Sequence, residues 1–480
     1  MNYRMIIRFI GNILLFEALL LCFPFFVSLA YKEGLYFSYL LPIGLLVGLG
    51  LLSKLFKPLH KEIYIREGFI ITALSWLLLS LFGSLPFFIS GEISNLFDAV
   101  FETVSGFTTT GSTILDNVEG LSRSLLLWRS LTQWIGGMGI LVFALAILPE
   151  TDARSMYIIK AESPGPQVGK LVSRVRLTAR ILYGIYIALT VILFLLLLVK
   201  MPAFDSVCHA LSTAGTGGFG IKNNSVAYYN SFYIEIVITI FMLLFGVNFT
   251  IYYLLLIGHW KDVLKSEELR AYLTLFLGST LLITINLLSS GTSDSMGEAL
   301  RHSAFQTSSL MTTTGYNTVD FNLWPSFSKW ILIILMICGG MAGSTAGGIK
   351  ISRILIQAKT VFKEIKYSVN PRRVSTLTFE RKPLEPGVAK EVSAFVLAYV
   401  SLLLVGCLLI SLDGKDLLSN FTACIASLSN VGPGLGSVGP LGNFASYSWF
   451  SKIVLSFLMV SGRLEIFPIL ILFAPKTWKK

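Results

Sequence analysis

Thr108-Thr109-Thr110-Gly111, Thr216-Gly217-Gly218, Thr312-Thr313-Thr314-Gly315 and Ser429-Asn430-Val431-Gly432 decide how this chain folds. Each is a short polar segment ending in glycine, set between apolar stretches long enough to cross a bilayer, which takes about 20 residues. The terminal glycines stand 107, 97 and 117 residues apart. Aligning the chain on them brings further residues into register. Ser105, Ser212 and Ser309 lie six positions before their glycines, and Phe101 and Phe305 lie ten before theirs. Asp116, Asn223, Asp320 and Ser437 follow by five. Fixed spacing of this kind indicates internal duplication.

The repeated unit reads as apolar helix, short amphipathic segment, threonine- or glycine-rich loop, second apolar helix. The short segments, near 96–108, 203–214, 299–311 and 416–428, cannot span and are expected to be re-entrant half-helices. Non-helical backbone at membrane depth is tolerated only inside protein or beside a water-filled cavity. Four such loops can converge on one axis, each half-helix aiming its partially negative C-terminal end there and favouring a cation. Loop carbonyls then replace the hydration shell of the ion. Glycine permits the positive φ that turns successive carbonyls inward, and Gly217-Gly218 adds freedom to the second loop. The predicted lining is Thr109, Thr110, Gly111, Thr216, Gly217, Gly218, Thr313, Thr314, Gly315, Asn430, Val431 and Gly432. The bland alternative is that these glycines only let helices pack closely; four at matching repeat positions favour a pore.

Composition agrees with a membrane chain. Hydrophobic residues make up 54% and charged residues only 14%, against roughly 25% charged in soluble domains. Ten apolar stretches can span, near 5–30, 35–56, 68–90, 124–148, 177–200, 230–258, 268–290, 326–358, 391–412 and 444–474. The expected architecture is an all-α integral membrane protein with two N-terminal spans (1–66) and four pore units: 67–150, 151–262, 263–370 and 371–480. No stretch between the spans is long enough for a separate soluble catalytic domain. The net charge of +11 is topological rather than a sign of nucleic acid. With both termini inside, only Lys32, Arg123, Lys200, Lys222, Arg301, Lys329, Lys415 and Lys452 fall outside, and Arg129 and Arg463 fall within spans. That asymmetry is the positive-inside rule.

Two features lie below the expected pore. Gly339-Gly340-Met341-Ala342-Gly343-Ser344-Thr345-Ala346-Gly347-Gly348 interrupts the eighth span with five glycines, each costing about 1 kcal/mol of helix stability relative to alanine. This stretch is expected to be broken and mobile, a gate formed by Gly339, Gly340, Gly343, Ser344, Thr345, Gly347 and Gly348. A packing groove is the alternative, because Gly339, Gly343 and Gly347 form a GxxxGxxxG array. Arg463, in the last span, is costly there and hence a functional candidate; on the pore axis its charge opposes cations. At the outer mouth, Asp116 and Asp320, with Asn223 between them in the repeat, are expected to concentrate cations.

Other motifs carry no chemistry. Gly434-Leu435-Gly436-Ser437-Val438-Gly439 matches GxGxxG but opens no βαβ unit, so no dinucleotide is implied. His60, His209, His259 and His302 are dispersed without zinc spacing, and the five cysteines lack CxxC pairs. Ser28-Leu29-Ala30 looks like a signal-peptide cleavage site, but the preceding apolar region exceeds the usual 7–15 residues, and a retained anchor is expected. An enzyme is not.

These residues resemble the Trk/Ktr/HKT superfamily of potassium transporters, and most closely its bacterial TrkH type. The resemblance covers the whole chain. It rests on the four loops, on Gln133-Trp134-Ile135-Gly136-Gly137-Met138-Gly139, on the Gly339–Lys350 segment and on Gly462-Arg463. It implies potassium uptake across the cytoplasmic membrane, with K⁺ bound in the filter and no organic cofactor. It also implies a homodimer with one pore per protomer, gated by a cytoplasmic nucleotide-binding ring (TrkA-like). Three residues depart from the family pattern: Ala346 for glycine, Ser112 for alanine and Asn223 for an acidic residue. The competing reading is a secondary symporter moving K⁺ with H⁺ or Na⁺. It needs a buried ionisable residue at the binding site, and none lies among the four loops.

Overall fold

The computed structural model describes residues 2–57, 65–139, 175–372 and 376–478. The end of the fourth expected span and the basic segment up to 174 lie outside these residues.

Tyr3–Ala30 and Tyr36–Ser53 form an antiparallel hairpin. A Cβ added to Gly11 would sit 1.8 Å from the Ser53 hydroxyl, and one on Gly50 would sit 2.4 Å from Leu15. Small residues therefore set how closely this pair approaches, as in membrane helices generally.

The chain then runs four times through long helix, short helix, loop and second helix. The long helices are Ile65–Gly83, Val175–Leu197, Glu267–Ser289 and Val388–Ile410. The short ones are Leu96–Phe107, Ala203–Gly215, Met296–Met311 and Leu417–Leu428, close to the expected half-helices. Leu277, Leu281 and Ile285 in the third long helix, and Leu404 and Leu408 in the fourth, stay exposed and make an apolar belt suited to lipid.

The second helices differ from expectation. Arg123–Met138, Phe232–Phe245, Ser326–Cys338 and Trp449–Arg463 have only 16, 14, 13 and 15 residues, short of the ~20 that cross the core. They stop at Gly139, Gly246, Gly339 and Leu464. Beyond the second stop the chain turns by 90° into Phe249–Leu256. Beyond the third it enters the glycine-rich loop before Ile351–Val369. Beyond the fourth, Glu465 and Ile466 take φ of +53° and +69° before Phe467–Phe473. Among the described residues, six helices are long and apolar enough to span, or seven with the bent pair. The other apolar stretches read from hydropathy are shorter or broken helices, or, near 140–148, lie outside the described residues.

The strand content among the described residues is one hairpin, Thr378–Phe379 against Lys382–Pro383. Its turn residue Glu380 accepts hydrogen bonds from the Ser266 hydroxyl (2.8 Å) and the Glu268 amide (3.0 Å), capping the third long helix.

Candidate ion pathway

All four short helices end in the same way. The amide of the residue before each key glycine returns to the carbonyl five residues back: Thr110 to Ser105 (2.9 Å), Gly217 to Ser212 (3.0 Å), Thr314 to Ser309 (2.8 Å) and Val431 to Ala426 (2.8 Å). This 6→1 bond is the signature of a Schellman C-cap, which requires a left-handed residue just before it. That residue is Thr109, Thr216, Thr313 or Asn430, with φ of +55°, +53°, +56° and +56°. Threonine at positive φ is a backbone outlier, yet it recurs in three loops.

Two residues on, Gly111, Gly218, Gly315 and Gly432 are again left-handed, with φ of +83°, +72°, +84° and +103°. Their surroundings close a ring. A Cβ on Gly111 would lie 2.1 Å from the Gly217 carbonyl oxygen, on Gly218 1.8 Å from that of Thr314, and on Gly315 2.1 Å from that of Val431. One on Gly432 would lie 2.8 Å from that of Thr110. The cycle runs first loop to second, third, fourth and back. All four glycines open on one cavity of about 250 Å³.

That cavity is also lined by Asp116 and Asn223, but not by Asp320. Asp320 accepts the Asn322 amide at 3.0 Å and caps the short turn Phe321–Leu323. Asp116 accepts from Asn443 at 2.7 Å, and Asn223 accepts the Val118 amide at 2.8 Å. Lys222 joins the lining and pairs with Glu119 at 3.3 Å. Burial opposes its charge, but the Glu119 hydrogen bond and carboxylate outweigh that and hold the ammonium above its usual range.

Behind the ring lie groups that sequence reading missed. Gln133 is fully buried; its amide donates to the Gly217 carbonyl (2.7 Å) and accepts from the Ser212 hydroxyl (2.6 Å) and the Phe219 amide (3.1 Å). A Cβ on Gly217 would strike Gln133 at 2.3 Å, and Gly217 is not left-handed. Its glycine thus makes room for this clamp rather than loosening the loop. The position nine before the key glycine holds Glu102, His209 and Gln306, all buried. Glu102 pairs with buried Arg129 at 2.7 Å and accepts the Ile114 amide at 3.0 Å. His209 meets the Tyr316 hydroxyl at 3.2 Å. The glycine-anchored alignment already held this signal, three polar residues at one register.

The Gly339–Gly348 stretch is non-helical, as expected, and lies against the ring from the other side. The Gly347 amide donates to Thr313 Oγ1 at 2.6 Å, and the Gly348 amide to the Ser429 carbonyl at 2.9 Å. The close-packing alternative also describes it: a Cβ on Gly339 would sit 2.2 Å from the Gly347 carbonyl oxygen, and on Gly347 2.2 Å from that of Ser429. Buried Glu268 accepts the amides of Ala342 (2.8 Å) and Ser352 (3.1 Å), bracing the loop at both ends. Lys350 donates to the Ala346 carbonyl, and Arg353 pairs with Glu465. Arg463 donates to the Thr345 carbonyl at 2.9 Å and to the carbonyls of Gly136 and Gly137. It thus ties the loop to the C-terminal end of the first unit's second helix.

The same architecture is found among known proteins. Residues 46–480 match the TrkH family, described as a cation transport protein. The chain belongs to the TrkH family. It is a multi-pass membrane protein of a transport family, not an enzyme. It is 36% identical over 492 residues to the Trk system potassium uptake protein TrkH of Salmonella typhimurium, covering all of both chains. It is 34% identical over 490 residues to that of Halomonas elongata, again over both full lengths. The crystal structure of the potassium transporter TrkH from Vibrio parahaemolyticus superposes with a TM-score of 0.89 at 34% identity, covering 100% of each chain.

Proposed function

We propose that this TrkH-family chain carries potassium uptake through a channel-like pore, and that the ring of Gly111, Gly218, Gly315 and Gly432 is its selectivity filter. The observation that carries the reading is the cyclic contact of four left-handed glycines around one cavity. Left-handed residues alternating with the intervening one turn loop carbonyls toward a common side, where they replace water around a dehydrated cation. The residues just before the glycines supply those carbonyls, and K⁺ is the bound ion. Gly217 does so while its carbonyl also accepts from Gln133, since a carbonyl has two lone pairs.

In this reading the cavity is the outer mouth, with Asp116 and Asn223 on its wall, and the Gly339–Gly348 loop is the inner barrier held by Arg463. The location is the cytoplasmic membrane of a bacterium, with both termini inside. The partners are a second copy of the chain and a cytoplasmic nucleotide-binding ring (TrkA-like). No Asp, Glu, His, Lys or Arg lies in the loops 108–112, 215–219, 312–316 or 429–433, which favours a filter over a coupled carrier site.

The test is flux of K⁺, Rb⁺ and Na⁺ in proteoliposomes. Gly315→Ser places a Cβ 2.1 Å from the Val431 carbonyl oxygen and is expected to lower K⁺ over Na⁺ discrimination. Unchanged selectivity in folded serine variants at all four glycines would falsify the assignment, and absence of any cation flux in the parent would reduce the loops to packing.

A further inference from the structure

The ring is uneven, and its irregularity sits at one seam. Three of the four glycine Cβ positions come within 1.8–2.1 Å of the next loop's carbonyl, whereas that of Gly432 stands 2.8 Å from the Thr110 carbonyl oxygen. Gly432 also has φ of +103°, against +72° to +84° in the other three. At this seam the oxygen stands off while the Gly111 carbonyl carbon still lies 3.2 Å away, so the fourth loop meets the first in a different orientation.

Side chains bridge that seam. The Ser112 hydroxyl, buried and on the cavity wall, donates to the Gly432 carbonyl at 3.1 Å. Two residues earlier in each loop, the Asn430 amide donates to Thr110 Oγ1 at 2.9 Å. The positions equivalent to Ser112 are Phe219, Tyr316 and Pro433. Phe219 and Pro433 carry no side-chain donor, and the Tyr316 hydroxyl turns away to His209. Among the described residues, Gly432 is thus the one ring glycine whose carbonyl receives a side-chain hydrogen bond.

We propose that Ser112 is a specificity-determining residue, whose hydroxyl holds the Gly432 carbonyl in a weakened, displaced place in the ring. The proposal rests on the filter reading above and extends it by one layer, taking the carbonyls of the cavity-lining ring glycines themselves as the outermost ligands. A carbonyl that already accepts a hydrogen bond offers a cation less field. Stripping water from Na⁺ demands more field than stripping it from K⁺ or Rb⁺, so weakening one ligand of the ring disfavours the smaller ion. Selectivity of this kind depends on the number and field strength of the carbonyl dipoles. Without the hydroxyl, the Gly432 carbonyl is free to turn inward and engage Na⁺.

The experiment compares the parent, Ser112→Ala, Ser112→Cys, Ser112→Thr and Gly315→Ser in proteoliposomes, with K⁺, Rb⁺ and Na⁺ as the probes. Ser112→Ala is expected to lower the K⁺ to Na⁺ flux ratio roughly two- to tenfold, the range of one hydrogen bond. Ser112→Cys, of similar size but a weak donor, is expected to shift the ratio the same way and carries the test if the alanine variant does not fold. Ser112→Thr keeps the hydroxyl and is expected to stay within about twofold of the parent, inside that same hydrogen-bond range. If Gly315→Ser lowers the ratio while Ser112→Ala and Ser112→Cys do not, the role of Ser112 is overturned and the filter stands. Equal shifts in the alanine and threonine variants overturn it too, because packing and not the hydroxyl would then be at work. If serine at Gly315 and at the other three ring glycines leaves the ratio unchanged, the filter reading falls first.

Discussion

Replacing Arg463 by alanine is expected to raise K⁺ flux without changing the order of ion preference. The size of the effect follows from what the guanidinium holds. One nitrogen donates to the Thr345 carbonyl in the loop, at 2.9 Å, and the other to the carbonyls of Gly136 and Gly137. Those two carbonyls sit at the C-terminal, partially negative end of their helix, where a cation is stabilised. Arg463 is therefore a bracket between a fixed helix and a loop lying under the ring. A hydrogen bond to a charged group is worth about 1.5–3 kcal/mol. Losing the one to Thr345 shifts the balance of the loop away from its packed state by roughly 10- to 100-fold. The loop keeps its bonds from Gly347 to Thr313 and from Gly348 to Ser429, so the ring itself is not dismantled.

Lysine at the same position separates a bracket from a bare charge. If Arg463 acted only through its field on the ion path, Arg463→Lys would conduct like the parent. An ammonium is a point charge without the planar fork that reaches two partners at once. The bracket reading therefore places the lysine variant between parent and alanine. The assay is Rb⁺ uptake into proteoliposomes at a fixed diffusion potential, with thermal melting in detergent to establish that each variant is folded. A folded Arg463→Ala protein whose flux stays within twofold of the parent would sink the reasoning, and a lysine variant equal to the parent would return the residue to a purely electrostatic role.

Gln133→Leu frees the Gly217 carbonyl and the Ser212 hydroxyl, and should reduce K⁺ over Na⁺ selectivity in the same flux assay, at a cost of about 1 kcal/mol per lost hydrogen bond. Glu102→Gln leaves Arg129 buried without its counter-charge and should destabilise the fold by roughly 3–5 kcal/mol, with Glu102→Gln/Arg129→Met recovering much of the loss; melting temperatures decide this. Asp116→Asn should slow uptake only at low ionic strength, where a mouth charge is poorly screened. Asp320→Asn should leave flux unchanged at every salt concentration, because that side chain caps a short turn and is not among the residues lining the cavity.

What could be read from the sequence was whatever only one residue type can supply. The four key glycines are such positions: each has a positive φ and a neighbouring carbonyl where a Cβ would go. Their spacing therefore survives as a visible pattern, and with it the half-helices. The left-handed Thr109, Thr216 and Thr313 were not legible, since threonine gives no hint of a conformation it disfavours. There the 6→1 bond and the packed ring impose the geometry on an unwilling residue, the kind of strain that collects at functional sites.

The breaks in the second helices were hidden for a different reason. Hydropathy sums over composition, and Phe232–Leu256 remains apolar across a 90° bend. The third break was visible because five glycines accumulate there, whereas the fourth falls on Leu464-Glu465-Ile466, where nothing in the residue types announces it. Register alone does not tell Asp320 from Asp116. The two share a repeat position, but the Asp320 carboxylate accepts the Asn322 amide two residues on, whereas Asp116 accepts from distant Asn443. Least legible were the partners drawn from distant parts of the chain: Gln133 with Gly217, Ser112 with Gly432, Arg463 with Thr345. Repetition in sequence specifies four similar loops. These non-local side chains then make the loops unequal, so a fourfold pattern in sequence folds into a ring with one distinct seam and one bracketed loop against it.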